Sequence, residues 1–122
     1  MDVVTASTMW AGPSNDLLQV LVEPTPEPWG VTWDDLPDDV DVGFVVFREL
    51  DANEEPTGRV AGIEILDFLR FDRWDAVPRF PLLWQVPGWE PLPLVDLLRR
   101  LQAELRERAR VAAATPPARR AE

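Results

Sequence analysis

With its partner Val42–Leu50, Arg59–Asp67 is the densest pairing of β-branched and aromatic residues along the pattern of apolar and polar positions. An extended backbone there puts Ala61, Ile63 and Ile65 on one side and Val60, Gly62, Glu64 and Leu66 on the other. Both sets are mostly apolar, which predicts a central strand covered on both faces. Val42–Leu50 is rich in Val and Phe and supplies its hairpin partner. The link Asp51–Gly58 reads as the hairpin loop, with Gly58 free to take a positive φ.

The rest of the chain can be read around that pair. Residues 1–15 carry weak signals and are expected to form a loosely held arm. Leu17–Val22 reads as a short strand stopped by Pro24. Proline at every second position in Glu23–Pro28 favours an extended, polyproline-like segment. Trp29–Trp33 is a strand-like piece and Asp34–Asp39 a solvated turn, after which Val40–Leu50 forms the second main strand. Asp67 stands where an N-cap would, ahead of a turn or two of helix in Phe68–Trp74. Five prolines make residues 76–93 irregular, with at most a short strand at Leu82–Val86. Pro93 opens the one long helix, Leu94–Arg110, in which Leu94, Leu98, Leu101 and Leu105 form a stripe widened by Val95 and Leu97. Residues 111–122 read as a frayed tail. The prediction is α+β: an arm (1–15), a single domain (16–110) with a small antiparallel sheet of three or four strands packed by a C-terminal helix, and the tail.

Three pieces, Asp16–Val22, Val42–Asp51 and Gly58-Arg-Val-Ala-Gly-Ile-Glu-Ile-Leu-Asp67, together resemble the pattern of a family of short bacterial proteins, domain of unknown function 2283. The resemblance covers about residues 15–70, and the Gly58–Asp67 piece is its specific part. It implies a three-stranded antiparallel sheet with a helix, and no established activity. The turn before Gly58 is longer than in that pattern, and the proline- and tryptophan-rich C-terminal half lies outside it.

Composition narrows the chemistry mainly by what is missing. The 122 residues contain no His, Cys or Tyr, and all 12 basic residues are arginine. Thiol nucleophiles, Ser-His-Asp triads, imidazole acid–base work, Schiff-base lysines and His- or Cys-bound zinc are therefore excluded within this chain. Net charge is −10, unevenly spread: residues 1–67 hold 15 acids and 2 arginines, residues 68–122 hold 7 acids and 10 arginines. A field of that sign disfavours nucleic acid, and the polarity suggests that the basic end lies against acidic surface of its own fold or of a second copy. No apolar run is long enough to cross a bilayer and the N-terminus lacks the features of a secretory signal, so a cytoplasmic protein with no membrane partner is expected.

Four groups of residues are candidates for chemistry. Glu64 lies in the most apolar strand, either as a buried acid or as the partner of Arg48 or Arg59 across the sheet. Asp34, Asp35, Asp38, Asp39 and Asp41 lack the ligand spacing of a calcium loop, and Pro56 stands where the glycine of such a loop would follow Asp51. Hence no metal or other cofactor is expected. Six tryptophans either fill a small core or wall a groove, with Trp84 and Trp89 the ones that flanking prolines would lift onto loops. The arginine-rich end of the last helix runs past what a small sheet can cover. The leading expectation is a non-catalytic module that binds another protein, or a second copy, through Trp74, Trp84, Trp89, Leu101, Leu105 and Arg108. A sugar or small-molecule binder stacking its ligand on tryptophan is the second reading, and an Asp/Glu hydrolase the third.

Overall fold

Eleven residues of extended chain, Pro56–Leu66 (β5), lie third in a six-stranded sheet of order β3-β4-β5-β2-β1-β6. The computed structural model describes residues 1–23, the backbone of 31–35, and residues 43–114. The other strands are Asp2–Trp10 (β1), Leu17–Val22 (β2), Val31–Asp35 (β3), Phe44–Leu50 (β4) and Leu82–Gln85 (β6). Among the described residues one α-helix, Leu94–Ala114 (α1), follows them. Neighbouring strands run antiparallel except β1 and β6, which pair in parallel from Asp2↔Leu82 to Thr5↔Gln85. The class is α+β as the pattern predicts, but the sheet is mixed and has six strands instead of three or four. Among the described residues no helix is long and apolar enough to cross a membrane.

The largest correction is at the N-terminus. The segment expected as a loose arm is β1, a nine-residue strand held between β2 and β6. Its core-facing residues are Val4, Ala6 and Trp10, and only Ala6 is fully buried, so the apolar signal was faint. Asp34 and Asp35, read as part of a turn, continue β3 and pair with Val46 and Val45. The proline run 24–28, residues 36–39 of the expected turn and residues 40–42 of the expected second strand lie outside the described residues.

One face of the sheet carries Leu18 and Val20 of β2, Phe44 and Val46 of β4, Ile63 and Ile65 of β5, and Trp84 of β6. Leu94, Leu97, Leu98, Leu101 and Leu105 of α1 join the same cluster, as do Phe68, Phe71 and Val77 from the segment between. Val60 belongs to it too, although strict alternation assigns it to the opposite side. Register shifts in the β4–β5 ladder set it opposite Arg48, while Gly62 stands opposite Phe47. Among the described residues the opposite side of β5 is only partly covered: Gly62 is buried, Glu64 is half-buried and Leu66 is 51% exposed.

Two one-turn 3-10 helices, Phe68–Arg70 and Trp74–Ala76, carry the chain from β5 towards β6. Asp67 adopts a left-handed conformation (φ 52) and makes no capping hydrogen bond, so it reverses the chain instead of starting a helix. The first turn is held from both sides. The Asp16 carboxylate accepts from Trp10 Nε1 at 2.9 Å and from the Leu69 N–H at 2.7 Å. From α1, the buried Gln102 Nε2 donates to Phe68 O at 2.8 Å and Phe71 O at 2.7 Å, and Arg106 Nε donates to Leu69 O at 2.8 Å. These bonds satisfy main-chain groups that a non-repetitive segment would otherwise bury unpaired.

Candidate interaction surface

Most of the tryptophan and leucine residues expected to meet a partner face inward. Trp84 sits on β6, not on a loop; it is 0% exposed and packs 6.0 Å from the Phe80 ring. The outer edge of β6 is closed by the returning chain, with Trp84 N–H donating to Leu92 O at 2.7 Å and Leu92 N–H to Trp84 O at 2.9 Å. Leu101 and Leu105 are buried against the protein's own core, so neither presents to a partner. Of the six residues, Arg108 alone is fully on the surface.

Trp74 and Trp89 are half-buried and already stacked. Arg100 lies 4.0 Å from the centre of the Trp89 ring and also pairs with Glu90 at 3.1 Å. Arg99 lies 5.7 Å from the centre of Trp74, whose other neighbour is Phe71, edge-on at 5.0 Å. Arg48 covers Phe80 in the same way at 5.6 Å. Each cation occupies a ring face that a stacked sugar would need, and together they pin the proline-rich segment to α1 and β4. The basic character of 68–110 is thus partly spent on the protein's own aromatic rings.

A shallow cleft of about 380 Å³ opens between Gly43, Leu66, Asp67 and the segment Arg70–Arg73. Its two acids and two arginines balance, and Arg73 is drawn away to Asp75 at 3.2 Å. That hydrogen bond holds the Asp75 carboxyl below the usual carboxylate range. Among the described residues no three carboxylates gather as a metal site would require. Nothing in this cleft pairs a nucleophile with a base.

Among the described residues, the sheet face away from α1 carries a set of partly exposed apolar side chains. Alternation places Val3 and Met9 of β1, Leu17 and Leu21 of β2, Val45 and Phe47 of β4, Leu66 of β5 and Leu83 of β6 on it. Val3, Met9 and Leu66 are 48%, 59% and 51% exposed, and the other five are half-buried. Gly62 lets this face lie flat, since Leu21 crosses it so closely that a Cβ there would stand 2.9 Å from Leu21 Cδ2. At the centre, Gln19 Nε2 donates to Glu64 Oε1 at 2.8 Å. Glu64 is therefore neither a buried acid nor part of the expected pairs: Arg48 lies over Phe80, and Arg59 leans towards Glu49 at 4.0 Å. The sequence did show this surface, as the second apolar side of β5, and among the described residues its cover is partial.

Comparison with protein-family models, curated proteins and solved structures finds no match to the chain.

Proposed function

We propose that the protein is a non-catalytic interaction module that binds a protein partner on the sheet face carrying Met9, Leu21, Phe47 and Leu66. The observation behind this reading is that Val3, Met9 and Leu66 are about half exposed on the side of the sheet opposite the one that carries the core. Partly exposed apolar side chains gathered on one sheet face favour an interaction site. A hydrogen-bonded polar pair in its centre, Gln19–Glu64, gives such a surface selectivity, because a partner must match the remaining carboxylate oxygen or leave it unpaired. The absence of His and Cys favours binding over catalysis. The likeness of Gly58–Leu66 to domain of unknown function 2283 belongs to the same proposal and adds no activity to it.

The test is differential capture. Phe47→Ser and Leu66→Ser, made in the full chain and checked for retained thermal unfolding, should lose a partner that wild type and a Trp74→Phe control both retain. A partner kept by the face variants and lost by the control would return the site to the tryptophan loops.

A further inference from the structure

We infer that the partner enters as an extended strand, adding itself to the sheet along the open edge of β1 at Ala6–Trp10. The inference rests on the proposed use of the sheet face, which Met9 borders, and names how the partner is held and what it is made of.

The first observation is the direction of the β1 backbone. Glu23 N–H donates to Thr5 O and Ala11 N–H to Leu17 O, so Thr5, Ser7 and Met9 face β2 with their main-chain groups. Val4, Ala6, Thr8 and Trp10 therefore turn theirs to the other side, where β6 lies beside Asp2–Thr5. One pair further along, that parallel ladder would need the N–H of residue 87 to reach Ala6 O. Residue 87 is proline and has none. The chain turns away there, with Trp89 N–H donating to Val86 O at 3.1 Å, and Leu92 returns along the far side of β6. Among the described residues no further strand takes up this edge, and Ala6 O, both main-chain groups of Thr8 and Trp10 N–H point into a gap. Thr8 is exposed, and Met9, on the sheet face beside the gap, is 59% exposed.

The second observation is what fits that gap. Donors and acceptors in line at strand spacing are matched by another extended backbone, the usual way a sheet edge takes up a peptide. An apolar side chain of the added strand beside Met9 would extend the apolar face onto the partner. Residues 1–23 contain Asp2, Asp16 and Glu23 and no basic side chain, and residues 1–67 hold 15 acids against 2 arginines. That field draws a segment with basic ends. It also sets a second copy at a disadvantage, since two chains of net charge −10 repel and so short an edge offers few bonds in return. The occupant is a segment of a foreign protein, extended, apolar at alternate positions and basic at its ends.

The experiment uses the full chain and amide hydrogen exchange followed by NMR. In the free protein the amides of Thr8 and Trp10 should exchange at least about ten-fold faster than those of Ser7 and Met9. The probe is a nine-residue peptide alternating valine and threonine between terminal arginines. At saturation it should slow Thr8 and Trp10 by about ten-fold or more, and a counterpart methylated on its interior amide nitrogens should not. Thr8→Pro removes an N–H that no strand of the fold uses, at an edge where proline is tolerated. It should raise the dissociation constant of the probe by about ten-fold or more while thermal unfolding is retained. If Thr8→Pro fails to fold, the methylated peptide on wild type carries the same test. Slow exchange at Thr8 and Trp10 in the free protein, no slowing at millimolar probe, or binding that survives methylation overturns strand addition. Exchange that slows with protein concentration alone would make the occupant a second copy and overturn the foreign segment. A captured partner lost on Phe47→Ser and Leu66→Ser but kept by Thr8→Pro leaves the face standing and overturns the edge; the reverse result keeps the edge and overturns the face.

Discussion

The side chain of Gln102, 6% exposed inside α1, donates from Nε2 to Phe68 O and Phe71 O, 34 and 31 residues earlier. A polar residue in a leucine stripe here serves as the bolt between the helix and the turn that ends β5. Replacing it with leucine keeps the volume roughly constant and strands the Phe71 carbonyl, while Phe68 O keeps its bond from the Phe71 N–H. An unsatisfied buried group costs about 1–3 kcal/mol, so Gln102→Leu should destabilise by about 1–3 kcal/mol in urea unfolding. A loss below about 1 kcal/mol would mean that water reaches that carbonyl.

Trp84 is fully buried, and its indole N–H meets no acceptor among the described residues. Trp84→Phe removes that unpaired donor together with part of the ring, so two opposed effects nearly offset. It should change stability by less than about 1.5 kcal/mol, whereas Trp84→Ala leaves a cavity and should cost about 3–5 kcal/mol. Thermal unfolding of the two variants side by side checks the contrast.

Gly62 admits no side chain. A Cβ there would lie 2.6 Å from Val20 O as well as against Leu21. Gly62→Ala must push β2 and β5 apart and should cost about 1–3 kcal/mol, opposite in sign to the gain that removing backbone freedom ordinarily brings. Denaturant midpoints with an unchanged m-value are the expected result.

Acid should loosen the surface before the core. The Glu107 carboxyl is held below the usual range by its hydrogen bond from Arg110. Glu90 is held low by a backbone hydrogen bond first and by Arg100 second. A depressed folded-state pKa adds stability above the unfolded value, and that contribution is lost as pH falls through the folded one. Both groups are exposed, so the effect is small and shrinks with salt. Carboxyl NMR titration should find both midpoints lower than in the unfolded chain, and Arg110→Gln should return Glu107 towards its ordinary value.

Long-period signals survived the step from sequence to fold, and short or compensated ones did not. The leucine stripe of α1 and the Ile63–Ile65 centre of β5 were readable because each buried position is large and the spacing regular. β1 was missed because Ala6 buries little and Thr5, Ser7 and Thr8 dilute the alternation. Val60 was assigned to the wrong side because a register shift between strands leaves no trace in one strand's composition. Trp84 was misplaced for a related reason: Pro87 and Pro91 bend the chain just after it, and that bend folds Leu92 back along β6 instead of exposing the ring. As for the candidate surface, its apolar residues were visible on β5, but the arginines that cover Trp74 and Trp89 come from a distant helix and no local pattern announces them.

The parallel ladder between β1 and β6 also fixes an order of assembly. Asp2–Trp10, made well before Leu82–Gln85, has to wait for it before its leading half gains that neighbour. Closing so long a loop slows the search for the native pairing. Until then Asp2–Thr5 offers an unzipped border to any other nascent chain, and chaperone engagement or translation speed during that interval should govern how much protein is recovered intact.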